Sequence, residues 1–494
     1  MNAERGTQKA ELTGGEAGAG VVGQRGASTF GVARVAFVSA ALVLYLLWLG
    51  RGELGWLPGG QWAALGGWAA LAALLLVIWL WRAGYLARWW AVVHVAPSGA
   101  LLIVIVLIAA VPRLVALPGA APPPMALAAE QEALGEARRM VTTGQFRPVT
   151  FARPSALLYL QTASGAAAFL LGASNDRWHD VSAMQPADLA TPAHLLNALL
   201  GLLTIALVYA TGRRLGNPRA GLLAAALLAC SPLAWRAAHI ADESALAALA
   251  AMLALWGIVD CGLRIANWWG SRHWLFEEGT ALSRQNPQSP PARGFPVHIP
   301  HCLVAAFLLG LATGIRPALL LLVAPLVLAL WWGGRMRVAI VGLLLTAGVV
   351  GFLVAAPYAL AALPAMLDAS ASTARGYDLR VTPGTLALLV RHVPDGALLF
   401  SRAEPLLALL GSVGALIALL RRQRGDWLVL AALVPGLLLV LLHRSLDAWQ
   451  FIPYTPFLAL LGGLALDTGW TSLAAHPHST ARRKQRSRKR PSAA

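Results

Sequence analysis

The chain has 494 residues, 58% of them hydrophobic and only 12% charged, with a mean hydropathy of +0.64. That balance excludes a soluble enzyme on a single anchor and indicates an all-α polytopic membrane protein with no separate soluble domain. The net charge of +17 does not indicate nucleic acid, because much of the excess lies in the last residues and in short connectors between apolar runs, the pattern of the positive-inside rule.

Residues 1–31 are polar and Gly-rich and read as a disordered cytoplasmic N-terminus. The run that follows lacks a small-residue cleavage site and reads as a first span, not a signal peptide. Apolar runs near 32–50 and 62–81 make residues 32–98 two N-terminal helices ahead of a core at 99–468. A third run near 99–117 leads to a charged island from Arg113 to Tyr159, in which Glu130, Glu132 and Glu136 lie among Arg138, Arg139, Arg147 and Arg153. Charges kept beside a bilayer, in a chain that elsewhere avoids them, point to a ligand. The island belongs to an outer loop at 118–190.

Further spans are expected near 191–211, 219–235 and 243–263. From Arg264 the sequence mixes Trp268, Trp269, Trp274 and Phe276 with charges, as expected of a helix lying in the interface, and then becomes a Pro-rich linker. The run Cys302–Trp332 is too long for one crossing and is interrupted by Gly314, Arg316 and Pro317, which predicts two short helices meeting at an outer turn. Gly310 and Gly314 form a GxxxG pair that favours close helix contact. Later spans fall near 338–359, 404–420, 427–442 and 452–468, with an outer segment between the first two.

The basic connectors GRRLGNPR (212–219), GGRMR (333–337) and RRQRGD (421–426) and the tail at 469–494 fall on one side if about twelve helices are threaded this way. Both termini are then cytoplasmic in the plasma membrane, and the tail is a topology determinant that clamps anionic lipids. The island, the turn at His239–Glu243, Arg316, the Tyr377–Glu404 segment and the His443–Gln450 turn share the outer face. Cys230, Cys261 and Cys302 read as reduced packing residues. His298 and His301 form an HxxH with no third ligand, so zinc is not inferred, and no P-loop, HExxH or dinucleotide fingerprint is present.

The island offers Arg113-Leu114, Ala129-Glu130, EARRMVTTG (136–144) and FRPVTFARPSALLYL (146–160), followed by the helix, basic turn and helix of 197–232, then GLATGIRPALLLLVAPL and FIPYTPFLALL. In this order the motifs resemble the polyprenyl-phosphate-dependent glycosyltransferases of the GT-C superfold, the family 39-like group that includes protein O-mannosyltransferases and lipid A aminoarabinose transferases. The resemblance implies about twelve transmembrane helices with outer juxtamembrane helices. It also implies sugar transfer, on the outer face, from a polyprenyl-phosphate donor to an acceptor hydroxyl on a protein, lipid or glycan. One departure stands out. The family places a catalytic Asp first in an Asp-Glu pair, and this chain has Ala129 there. A neighbouring Glu takes over as base, or the acceptor chemistry differs, or the reaction is lost.

Such a transfer needs a carboxylate that takes the acceptor proton and cations that stabilise the departing phosphate. The catalytic candidates are Glu130, Asp242 and Glu132. For substrate and phosphate they are Arg153, Arg316 and Arg444, with Arg113 and His443 as lesser choices and Tyr159 and Glu243 carried from the family pattern; Arg suits phosphate because its planar fork stays charged. No cofactor is called for, since the lipid-linked sugar is a substrate. Asp242-Glu243 also reads as a helix cap. A lipid or solute transporter would place ionisable groups at mid-helix, and a catalytically degenerate GT-C-like scaffold is the reading that Ala129 favours.

Overall fold

Asn217, Ser231 and the X-Pro steps at 217–218, 231–232 and 404–405 show how the sequence punctuates itself into helices: side chains of Asn217 and Ser231 accept from Ala220 N and Ala234 N, and each Pro opens the helix that follows. The computed structural model describes residues 98–115, 124–149, 155–282, 299–332, 338–374, 376–377 and 383–488. The expected tail at 1–31, the two N-terminal spans, Arg153, most of the Pro-rich linker with His298, and GGRMR lie outside the described residues. Residues 96–494 form a unit of their own.

Among the described residues every regular element is a helix. In chain order they are α1 (Ser98–Val115), α2 (Pro124–Thr143), α3 (Ser155–Ala173), α4 (Ala190–Leu215), α5 (Pro218–Ala229), the short α6 (Pro232–Ala237) and the long α7 (Ser244–Leu282). There follow α8 (Ile299–Ile315), α9 (Val323–Trp331), α10 (Val338–Ala355), α11 (Leu363–Ala374), α12 (Pro383–Ala403), α13 (Pro405–Arg421), α14 (Arg424–Leu441) and α15 (Thr455–Arg488). Among the described residues five helical stretches are long and apolar enough to cross a bilayer, and shorter apolar helices accompany them. Leu107 and Ile108 on α1, Leu199 and Leu203 on α4 and Leu345 on α10 are exposed on their surfaces. Hydrocarbon can solvate such a face and water cannot, so this is a membrane protein.

Polar contacts sort the helix ends into two groups. At one end Arg113 Nη1 donates to Ala229 O (3.3 Å), Asn197 Nδ2 to Asp242 O (3.2 Å), Trp235 Nε1 to Pro112 O (3.0 Å) and Arg444 N to Gly376 O (2.9 Å). At the other, Tyr209 meets Ser98, Asn217 meets Asp467, Arg421 meets Thr468, and Asp260 pairs with Arg214, Arg264 and His301. The connectors 212–219 and 421–426 therefore share one end and the charged island the other. Helix α3 is apolar, yet Gln161 donates to Ala241 O (3.0 Å) and Gly165 lies against Leu189, so its contacts stay with the island end.

The run Cys302–Trp332 breaks as expected: α8 ends at Ile315, Arg316 is extended, and a 3-10 turn (Pro317–Leu322) leads into α9. The GxxxG pair packs α8 on α10; a Cβ at Gly310 would stand 1.8 Å from Gly348 O, and one at Gly351 2.0 Å from Phe307 O. Three expectations are corrected. The span expected at 219–235 splits at Cys230-Ser231 into α5 and α6. Helix α7 does not end at Arg264 to make way for a separate interfacial helix but runs on to Leu282. Cys261 and Cys302 are not reduced packing residues but are bonded to each other, because α7 and α8 approach closely at Gly257, one turn before Cys261, where a Cβ would stand 3.1 Å from Ala305 Cα, and the two Cys Cα atoms lie 5.1 Å apart; Cys230 forms no disulfide among the described residues.

Glu404, fully buried at the joint between α12 and α13, accepts from Leu233 N (2.6 Å) and from Ser231 Oγ, and so docks this joint onto the start of α6. Burial pushes its carboxyl up to about 8, against the two hydrogen bonds.

Two consequences are measurable by thermal unfolding in nanodiscs. Gly310→Ala drives a methyl into the α10 backbone and is expected to cost about 1–3 kcal/mol, whereas Gly342→Ala, with nothing within 4 Å, leaves the midpoint unchanged. For Glu404 the native pKa lies above the unfolded one, so its stabilisation is complete below the usual carboxylate value of 4.5 and is lost as pH rises through about 8. Stability is expected to decline across that window, and Glu404→Gln to remove that part of the decline.

Candidate active site

Helix α4 presents His194, Asn197 and Gly201 at i, i+3 and i+7, one stripe along its surface. Each meets a different part of the island end. His194 Nε2 contacts Glu130 Oε1, and both side chains are buried. Asn197 Nδ2 donates to Ile240 O and Asp242 O, which holds the turn before α7. A Cβ at Gly201 would stand 3.7 Å from Arg113 Nε.

Glu130 heads the buried face of α2, continued by Ala133, Ala137 and Met140. Its Oε2 is enclosed and has no hydrogen-bond partner. Glu132, two residues on, is exposed on a different face. The rest of the island fastens the loop. Glu136 receives Arg139 Nε (3.0 Å) and Nη2 (2.8 Å) and Val149 N (2.8 Å), and Arg138 donates to the carbonyls of Met184 and Ser182. The Arg139 hydrogen bond in first place holds the Glu136 carboxyl below its ordinary value.

Arg113 is fully buried at the end of α1. Nη1 is satisfied by Ala109 O (2.9 Å) and Ala229 O, whereas Nε and Nη2 have no partner. His239, buried beyond α6, feels the charges of both His194 and Arg113. Burial pushes its imidazole down, and those two charges push the same way.

Asp242 and Glu243 are half-buried in the turn before α7. Asp242 accepts from Ser244 N (3.0 Å) and Ser244 Oγ (2.9 Å), a cap on α7 as the sequence suggested. Burial, then the like charge of Glu243, pushes its carboxyl up to about 7 against these hydrogen bonds and against Arg316, which is near enough for its charge to act on Asp242 and on Tyr454. Arg316 is half-buried at the break after α8. Tyr377 packs edge-on against His443 (centroids 4.7 Å apart), so the segment before α12 closes on the turn after α14, where Arg444 is exposed. Among the described candidates, then, Glu130, Arg113, His194 and His239 form one group, and Asp242, Glu243 and Arg316 a second, bridged by Asn197. Glu132 is exposed on another face of α2, and Arg444 is exposed on the turn after α14.

Two cavities open here. One of about 710 Å3 lies between α2, α3 and Pro357-Tyr358, with Tyr159 on its wall. The other, about 850 Å3 and lined almost wholly by aliphatic side chains of α8, α9 and α10, extends from Thr313 and Phe352 to Trp331, and Thr313 and Leu320 bracket Arg316 in sequence.

His194 and Asn197 were not anticipated. The available signal was polarity inside the apolar run 191–211, where an uncharged His or Asn in a span needs a partner.

Residues 187–273 match the family described as dolichyl-phosphate-mannose-protein mannosyltransferase. This stretch contains α4 to α6 and the first part of α7, and so falls on the helix, basic turn and helix that carried the resemblance in sequence. No curated protein matches the chain. Among solved structures the chain is similar to ArnT from Cupriavidus metallidurans bound to undecaprenyl phosphate, at 18% identity and a TM-score of 0.47 over 75% of this chain and 61% of that one. It is also similar to the Archaeoglobus fulgidus oligosaccharyltransferase AglB in complex with an inhibitory peptide and a dolichol-phosphate, at 15% identity and a TM-score of 0.45 over 78% of this chain and 52% of that one. The chain thus spans between about half and three-fifths of the length of these structures.

Proposed function

We propose that this chain is a GT-C-type glycosyltransferase that moves a sugar from a polyprenyl-phosphate donor to an acceptor hydroxyl at the island end of the bundle. The observation that carries the reading is Glu130: a carboxylate buried at the membrane edge with one oxygen held by His194 and the other unpartnered. A general base needs an oxygen that no other donor occupies, and the acceptor hydroxyl must reach it, so in this reading the enclosure around Oε2 opens when the acceptor binds. In the transfer, the acceptor proton goes to Glu130 Oε2, the acceptor oxygen bonds to the anomeric carbon, the bond from that carbon to the phosphate oxygen breaks, and polyprenyl phosphate leaves as an anion.

The phosphate role falls to Arg316, with His443 and Arg444 toward the rim. Arg113 is enclosed and bonded to helix carbonyls, which suits it to the Glu130 group better than to a headgroup. The apolar groove whose lining includes Thr313 and Leu320, on either side of Arg316 in sequence, suits a polyprenyl tail, which has no polar atom to satisfy. The basic connectors at the far end support an outer-face location for this site in the plasma membrane. The outer loop 118–190 then supplies two juxtamembrane helices, α2 and α3, and the tail meets anionic lipid. The second reading, a scaffold that kept the fold and lost the reaction, rests on Ala129.

Incubation of the purified chain with radiolabelled polyprenyl-phosphate sugars tests the first reading, and retention of every label on its lipid would establish the second. Glu130→Gln is expected to lower release by about 100- to 10,000-fold, the usual loss on removing a general base, with Glu132→Gln close to wild type; the reverse result would move the base by two residues. Donor binding tests Arg316. Below pH about 7 Asp242 is protonated and leaves the guanidinium to the phosphate, and above it the carboxylate competes. Affinity should therefore weaken as pH rises through 7, Asp242→Asn should hold it at the low-pH level, and Arg316→Lys should weaken it throughout because the bidentate fork is lost.

A further inference from the structure

We infer that His194 is the positioning residue through which Glu130 serves as base in a chain that has Ala at position 129; the inference rests on the function proposed above. Glu130 has one more rotatable bond than an Asp, and a carboxylate free to sample its rotamers would spend little time facing an acceptor hydroxyl. Fixing such a side chain costs rotamer freedom. The His194 contact opposes that cost, because a hydrogen bond holds one of the two carboxylate oxygens in place.

The geometry makes the contact selective. His194 takes Oε1 only, so the held oxygen and the reacting oxygen are different atoms. The ring is itself fixed, since it projects from the first turn of α4 between buried Ala193 and the Asn197 anchor one turn on. That anchor also holds the carbonyls around Asp242, so one face of one helix sets the separation of Glu130 from the Asp242–Arg316 group. His239, buried in the turn after α6, is near enough to exchange charge effects with His194, and the buried Arg113 of α1 acts on His239 in turn. A histidine present only to fill the core would leave Oε2 as an unexplained buried acceptor, which native structures rarely tolerate.

The test uses the full chain in nanodiscs and release of label from polyprenyl-phosphate sugars. His194→Ala should lower turnover by about 100-fold, as misplacement of a reacting group does, with donor half-saturation unchanged. His194→Gln, whose amide N–H reaches nearly the position of Nε2, should recover most of the loss. In the double variant with Glu130→Gln there should be no loss beyond that of Glu130→Gln alone, since the two act as one unit. Full turnover in His194→Ala, a Gln variant as impaired as Ala, or additive losses would each overturn the inference. A measurement independent of turnover separates its failure from that of the enzymatic reading: in infrared difference spectra, the carboxylate band that disappears in Glu130→Gln should shift in His194→Ala. If wild type releases no label but the band shifts, the positioning contact stands and the transfer reading falls; if the band does not shift, the contact falls whatever the assay shows.

Discussion

The rotational setting of α4 is the constraint on which the island end depends. A turn of that helix by one residue would carry His194 away from Glu130 and Asn197 away from the Asp242 turn together, because they occupy one stripe. The setting is fixed at the far end by backbone contact. A Cβ at Gly212 would stand 2.8 Å from Gly221 Cα, and one at Gly221 2.6 Å from Tyr209 O, so α4 and α5 approach as only glycines allow, with Leu460 and Leu464 of α15 closing against Gly212 and Gly216. Packing at the basic end thus determines geometry at the opposite one, through a rigid helix of 26 residues.

Given that frame, the two acidic groups are placed in different surroundings. Glu130 is met by an imidazole, while Asp242 is met by a hydroxyl, a backbone N–H, a second carboxylate and the more distant Arg316, and is driven up to about 7. Carboxyls whose surroundings differ this much are suited to different tasks, and Asp242 is the one that changes charge near neutrality, within reach of the Arg316 charge. Glu404 stands apart from both. It is a buried acid whose partners belong to α6, and its role is to hold α12 and α13 to the element that carries the Asp242 turn.

Much of this was legible in the sequence because lipid forces it to be. Charges are tolerated only at helix ends, so the grouping of GRRLGNPR with RRQRGD, and the break at Arg316-Pro317, could be read from composition and spacing. The GxxxG pair was legible for a similar reason, since nothing but close approach explains two glycines four apart in an apolar helix. What was not legible is what depends on the angular position of one helix against another. The Cys261–Cys302 bond needs α7 and α8 to meet at Gly257, and no spacing rule connects residues 41 apart in different spans. The inward turn of Glu130 and outward turn of Glu132 likewise follow from which face of α2 is buried, and the alternation of Ala, Leu and Glu there permits more than one face. His194 sat unremarked because one imidazole in an apolar run has no partner until α2 is laid across it.

The position of Glu130 also bears on what Ala129 means. Neighbouring residues on a helix differ by about 100° in direction, so an acid at 129 would leave α2 at a different angle from Glu130, which points along the buried stripe of Ala133, Ala137 and Met140. A longer side chain does not by itself undo such a rotation. What would undo it is a partner that draws the carboxylate to a new place, and the partner present comes from α4, not from α2. In the proposed reading, an acid moved from position 129 to 130 takes its direction from a second residue, on another helix. Burying a carboxylate oxygen without a partner costs on the order of 1–3 kcal/mol or more; Glu130 Oε2 is such an oxygen, and the proposed base role is one use that would offset the cost.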